Sequence, residues 1–172
     1  VDPAGQTMFQ NLVETAVMLR PNRLILDGIQ DKEVMTVLEA ITAGHDGTLI
    51  SINADRPHNA ICRLERMFLR ARPGLPVSVV QEHIAESVDL ICQISRLRDG
   101  SRKITAITEI QGIDKGKLKL VDIFKYEQVE HHVLVKILGS IRPTGIRPQC
   151  IDRIEDAGIH LPSSVFGIVQ HR

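Results

Sequence analysis

RPNRLILDGIQDKEVMTVLEAITAGHDGTLISINAD, Arg20–Asp55, changes period twice, and those changes set the fold. Arg23–Leu26 is a short, mostly apolar run between Pro21 and the Asp27-Gly28 pair, the pattern of a fully buried strand in a parallel sheet. Asp31 is placed to cap a helix whose apolar positions Val34, Val37, Leu38 and Ile41 recur at helical spacing before Gly44 ends it. Thr48–Ile52 then reads as a second strand. Strand, helix, strand in this rhythm predicts an α/β layer with a right-handed crossover, and places function at the strand ends.

The residue at the end of the first strand is Asp27. In nucleotide-hydrolysing folds with a phosphate-binding loop, an apolar strand ends in a carboxylate that positions Mg²⁺ or the attacking water, and Asp27 fits that template loosely. Ordered motifs run along nearly the whole chain: Leu19-Arg20-Pro21-Asn22-Arg23, Gly44-His45-Asp46-Gly47, Arg63-Leu64-Glu65 and Ser95-Arg96-Leu97-Arg98-Asp99-Gly100-Ser101-Arg102. Gly145-Ile146-Arg147-Pro148, Gly158-Ile159-His160-Leu161-Pro162 and Phe166 follow in the tail. Together they resemble the type II/type IV secretion ATPase superfamily, and the tail resembles its Tad/Cpa pilus branch. The resemblance implies part of a RecA-like P-loop NTPase core over residues 1–126, with a C-terminal tail bearing a short helix over 127–172. It also implies a hexameric assembly, with ATP and Mg²⁺ as ligands of a longer protein rather than of this chain alone.

The departures from that family fall on its chemistry. Where the family has Gly-Glu this chain has Asp27-Gly28, so the glutamate expected to polarise water is a glycine. Neighbouring strand residues face opposite ways, so Asp27 can replace it only across a local bulge. The family's next arginine is Gln30, and the second histidine of its histidine box is Asn53, leaving His45 alone. Asparagine can donate a hydrogen bond but cannot titrate near neutral pH. Three changes together read as lost selection for hydrolysis.

No Gly-x-x-x-x-Gly-Lys-Ser/Thr string occurs in the chain. The nearest, Gly112-Ile113-Asp114-Lys115-Gly116-Lys117-Leu118, is one residue short, ends in leucine and lies between strand-like runs, so it reads as a hairpin turn. In the resembling family the phosphate loop lies upstream of the matching region. The chain starts with Val1 rather than methionine, which favours a fragment or processed product of a longer protein.

Composition bounds the remaining possibilities. The 172 residues suffice for one solid core, with roughly 70% of the unfolded surface buried at this size. Lys plus Arg equals Asp plus Glu at 21 each, so no global field draws the chain to nucleic acid or an anionic membrane. Aromatic residues at 3% leave little for a base-stacking platform, which also disfavours nucleic acid. No apolar stretch approaches the ~20 residues of a membrane span, so the expected location is cytoplasmic, peripheral at the bacterial inner membrane if the pilus resemblance holds. Cys62, Cys92 and Cys150 are scattered in apolar-patterned segments, as reduced buried thiols would be.

Elsewhere, Thr7–Leu19 reads as the helix feeding the first strand, and Pro57 starts a helix with an Ile61, Leu64 and Phe68 stripe. Arg63, Glu65 and Arg66 lie off that stripe and form either a solvated face or a contact with a neighbouring subunit. Val77, Val80, Ile84 and Val88 pattern a further helix, followed by a three-stranded antiparallel meander over Leu90–Phe124 with turns at Asp99-Gly100 and Lys115-Gly116. The cluster Arg96, Arg98, Arg102 and Lys103 either protects an edge or meets a partner. Glu127–His132 reads as a linker, His131-His132 as a surface pair rather than a metal site, and Gln149–Ala157 as a helix, with Leu161 and Phe166 pinning the tail.

Two functions fit this pattern. One is a catalytically impaired ATPase-like scaffold, regulator or non-catalytic ring subunit of a pilus or secretion machine. The other is a piece of an active hexameric motor with Asp27 at the strand end and His45 sensing nucleotide. The resemblance implies as partners a paralogous secretion ATPase, inner-membrane pilus platform proteins and further copies of the chain.

Overall fold

A computed structural model describes residues 3–29, 33–42, 44, 47–129 and 138–168. The chain divides into two compact units, one comprising Val1–Ser87 with Lys115–Lys117, the other Val88–Asp114 and Leu118–Arg172. The fold class expected from the sequence is the one observed: α/β, with a parallel pair of strands, an antiparallel sheet and a small helical tail.

In the first unit, helix α1 (Pro3–Met18) buries Val13 and leads into strand β1 (Ile25–Leu26). Helix α2 (Val34–Thr42) buries Val34, Val37, Leu38 and Ala40, close to the expected spacing, and returns to strand β2 (Leu49–Ile50). The strands pair in parallel, Ile25 with Leu49 and Leu26 with Ile50, as the strand-helix-strand rhythm predicts. The expectation of a fully buried first strand fails. The strand is two residues long, and the partners Ile25 and Leu49 are both exposed. A parallel strand is buried on both faces only when layers cover both, and these two side chains have no cover here.

Helix α3 (Pro57–Ala71) starts with Pro57 in its first turn, where a missing N–H costs nothing, and buries Ala60, Ile61, Leu64, Met67 and Phe68. Helix α4 (Val77–Ser87) buries Val80 and Ile84, whereas Val77, expected on the same stripe, is exposed. The two helices meet through Phe68 stacked on His83 at 6.3 Å between ring centres, and through the Gln81 amide donating to Glu65 at 2.9 Å.

The second unit is a meander with one strand more than expected. Strands β3 (Leu90–Arg96), β4 (Arg102–Asp114), β5 (Lys117–Val129) and β6 (Leu138–Pro143) form a four-stranded sheet in that order. Position 126/127, the expected domain boundary, lies inside β5, and Glu127 pairs with Ser140 where a linker was expected. Polar Glu127 and Gln128 concealed this extension, because a strand with one solvated face carries such residues freely. His131-His132 lie outside the described residues. The turn at Lys115-Gly116 has φ +48° and +74°, the pair of positive angles that a type I′ hairpin turn requires.

Helix α5 (Ile151–Asp156) and a 3₁₀ turn (Ser163–Phe166) close the tail on the sheet. Ile123, Ile151 and Phe166 form its buried core, with Leu161 packed against them, so the two residues expected to pin the tail do so. Buried Glu109 holds the tail from the sheet side, accepting from the Cys150 backbone at 2.8 Å and the Gln111 amide at 2.9 Å. Burial works to raise the Glu109 carboxyl, but the hydrogen bonds from Gln111, Cys150 and Gln149 outweigh it and the net shift is downward. Burial, and then the Glu109 charge beside it, pushes the Cys150 thiol up to about 11. All three cysteines are free, but they are not the buried set expected: Cys92 is exposed, and Cys62 and Cys150 are half-buried. Among the described residues no helix is long and apolar enough to cross a membrane.

Candidate functional site

The parallel register decides what stands at the strand ends. Leu49 donates its backbone N–H to Leu24 at 2.8 Å and Ser51 donates to Leu26 at 3.0 Å, so the residues following the strands, Asp27 and Ser51, arrive side by side. The Ser51 hydroxyl donates to the Asp27 carboxylate and accepts from the Gly28 backbone N–H at 2.9 Å. Asp27 is exposed. The register is regular over both pairs, with no bulge between them.

Gly28 has φ +69°, a conformation that side chains rarely adopt, and the space a Cβ would enter is open within 4 Å. A glutamate here would therefore meet backbone strain rather than crowding. Gln30 and His45, the other candidate positions along this stretch, lie outside the described residues. Asn53 is exposed two residues beyond Ser51, and its carbonyl accepts from the Arg63 guanidinium at 3.0 Å.

Beside Asn53 the surface opens into a cleft of about 440 Å³ between the segment after β2 and one face of α3. Arg63, Arg66 and Arg70 line it, with Met67 between them. Asp55 also lines it and accepts from the Asn59 amide at 2.5 Å. The Asn59 hydrogen bond is the main reason the Asp55 carboxyl titrates below its ordinary range. Among the described residues no group of three or more His, Cys, Asp and Glu side chains could hold a metal ion.

Sequence reasoning singled out Asp27, Gly28 and Asn53 but not Ser51, which the structure places beside Asp27. Its signal was available: in a parallel pair, the residue after the second strand lands beside the residue after the first. Arg70 was missed because the off-stripe charges were read only as far as Arg66, although Arg63, Arg66 and Arg70 share one helical face.

The strand-helix-strand unit is that of an α/β protein, with a carboxylate, Asp27, and a hydroxyl, Ser51, at the carboxyl ends of its parallel strands, the edge at which open α/β sheets commonly bind ligands. Residues 1–137 match the family described as Type II/IV secretion system protein, and the chain belongs to that family. It is 30% identical over 120 residues to Conjugal transfer protein TrbB of Rhizobium radiobacter, covering 70% of this chain and 36% of that protein. A putative conjugal transfer protein of Mycobacterium tuberculosis is 26% identical over 124 residues, 72% of this chain and 34% of the relative. Type IV secretion system protein VirB11 of Bartonella quintana is 25% identical over 103 residues, 57% of this chain and 28% of the relative. The chain thus spans about a third of the length of the curated relatives it matches.

Proposed function

We propose that this chain is the C-terminal part of a secretion-family ATPase that has lost most of its capacity for hydrolysis and acts as a scaffold, regulator or non-catalytic subunit of a secretion, conjugation or pilus machine. The observation that carries this reading is at the first strand end. Gly28 offers no side chain where the family's glutamate is expected, and the neighbouring Asp27 carboxylate is engaged by Ser51. Asn53, in place of the second histidine, cannot exchange a proton near neutral pH. The tail motifs from Gly145 to Phe166 favour the Tad/Cpa branch, with a paralogous ATPase, an inner-membrane platform and further copies of the chain as partners.

The alternative, a fragment of a working motor, has one observation in its favour: Asp27 is exposed at the strand end with a hydroxyl beside it. Mg²⁺ is commonly held by one or two carboxylates with phosphates and water completing the shell, a demand that Asp27 alone can meet in a longer protein that binds ATP. In that setting Asp27 would hold the ion, and the ion would neutralise charge on the phosphates.

ATP turnover by the natural-length protein and its Asp27→Ala variant separates the two. Loss of a water-positioning group costs ~10²–10⁴ in rate, so the impaired reading expects turnover at or near background, unchanged by Asp27→Ala. Robust turnover that Asp27→Ala abolishes would establish the motor instead. Gly28→Glu sharpens the result: the space is open although φ +69° strains the backbone, and a gain of turnover would locate the defect at that position.

A further inference from the structure

We propose that His58 and Cys62 on α3 form a two-ligand clip for a borderline-soft divalent cation of the Zn²⁺ type. The clip shares no residue with the Asp27–Ser51 pair, and it stands whether or not the protein hydrolyses ATP.

The two residues are four apart on a helix, so their side chains are neighbours on one face. The Cys62 Sγ stands 3.6 Å from the His58 Nδ1. Tetrahedral Zn²⁺ holds sulfur at about 2.3 Å and nitrogen at about 2.0–2.1 Å, which puts two such ligands on one ion about 3.5 Å apart. The pair already has that separation, so ligation demands little reorganisation. A thiolate with an imidazole selects Zn²⁺ and its transition-metal neighbours over Mg²⁺ and Ca²⁺, which take oxygen ligands.

The helix beneath the clip is anchored. Asn59 and Ala60 donate their backbone N–H groups to the Arg56 carbonyl at 3.0 and 3.1 Å, and the Asn59 amide donates to Asp55 at 2.5 Å. Ala60 and Ile61, between the two ligands in sequence, are buried. At the clip itself His58 is exposed and Cys62 half-buried, and neither side chain has a hydrogen-bond partner besides the other among the described residues. A hydrogen bond so placed adds little to stability, because water competes for it. Arg66, one turn on, donates its Nε to the Cys62 carbonyl at 3.0 Å and brings a positive charge towards the clip. It is exposed, so salt screens its repulsion of a cation.

Ligation converts the Cys62 thiol to a thiolate, releases its proton to solvent and takes the neutral imidazole through Nδ1. It ties the first turn of α3 to the second. The chain then supplies two of four tetrahedral positions, and two stay open to water or to a second copy of the same pair. Cys150 is a poorer ligand, since burial and the Glu109 charge push its thiol up to about 11.

The test is a Co²⁺ titration of the reduced, metal-stripped 172-residue chain, because Co²⁺ occupies Zn²⁺ sites and a thiolate ligand gives it a charge-transfer absorption band. A saturable band that Zn²⁺ abolishes and millimolar Mg²⁺ leaves unchanged is the expected result. Cys62→Ser should remove the band and His58→Gln should weaken the affinity by about tenfold or more, while Cys92→Ser alters neither. One Zn²⁺ per chain would give the open positions to water, and one per two chains would give them to a second copy; both sustain the clip. Alkylation of the wild-type chain adds a readout that needs no variant: Zn²⁺ should protect Cys62 from iodoacetamide and leave Cys92 reactive. Absence of a band at millimolar Co²⁺ overturns the proposal, as does a band that survives Cys62→Ser or is indifferent to His58→Gln. Displacement by Mg²⁺ overturns it too, by showing a site built from oxygen, and so does alkylation of Cys62 that Zn²⁺ does not slow.

Discussion

In the second unit buried Glu109 receives Gln111 and the Cys150 backbone, and half-buried Asp122 receives Thr108 at 2.6 Å and Lys125 at 2.8 Å, while the buried Tyr126 hydroxyl has no hydrogen-bond partner among the described residues. In the first unit the strand-end residues are exposed even where they are hydrogen-bonded, as Asp27 is to Ser51 and the Asn53 carbonyl is to Arg63. Asp27 and Asn53 are exposed, three arginines line an open cleft, and Ile25 and Leu49 show apolar side chains to solvent. Buried hydrogen-bonded groups hold a shape, whereas exposed ones are held less tightly because water competes for the same bonds. The contrast is between a sheet-and-tail unit held by buried contacts and a helical unit whose strand ends are exposed.

The largest expected effect comes from breaking the core of the sheet-and-tail unit. Phe166→Ala removes a ring that is 3% exposed and packed with Ile123 and Ile151. It should cost about 3–5 kcal/mol. Hydrogen exchange should show it first at Gly145, whose N–H donates to the Phe166 carbonyl at 3.0 Å. Unchanged protection there would mean that the tail is held by something other than this core.

Glu109 is next. Glu109→Ala strips the acceptor from the half-buried Cys150 N–H and should cost about 1–3 kcal/mol in urea unfolding. Its pH signature has a definite sign. The folded carboxyl titrates below its ordinary value of 4.5, so its contribution is present above that pH and is lost as pH falls through 4.5 towards the folded value. The stability gap between wild type and Glu109→Gln should therefore shrink on acidification. A gap constant from pH 7 to 3 would remove Glu109 from the contrast between the units.

Much of this contrast was legible in the residues. Helical spacing at Val34, Val37 and Leu38 and at Ile61, Leu64 and Phe68 located two helices, because burial follows period there. The Lys115-Gly116 turn was legible from its glycine and flanking strand patterns. What escaped depended on contacts distant in sequence. The hydrogen bond from Ser51 to Asp27 spans 24 residues, and the acceptor role of Glu109 towards Cys150 spans 41. The exposure of Ile25 escaped for the opposite reason, since an apolar run predicts burial whether or not a covering layer is at hand.

Lys115 offers a smaller test, and in the stabilising direction. Its φ of +48° is costly for lysine and easier for asparagine, which tolerates left-handed backbone. Lys115→Asn should stabilise the β4–β5 hairpin by about 0.5 kcal/mol, read as a small rise in the melting temperature. A loss instead would mean that the lysine side chain makes a contact worth more than the backbone strain it carries.

The smallest expected effect probes the exposed sheet face itself. Ile25 is 71% exposed and Leu49, its partner across the parallel pair, 58%. Ile25→Thr keeps a β-branched side chain on the strand and removes apolar surface that folding of this chain does not bury. Its cost in the 172-residue chain should stay within about 0.5 kcal/mol, as for surface substitutions elsewhere. The same substitution in the natural-length protein separates two causes of that exposure. A cost that rises above about 1.5 kcal/mol there would show the face covered by another part of the protein, because burying an isoleucine side chain is worth that much or more. A cost that stays near zero would leave the face open in the whole protein.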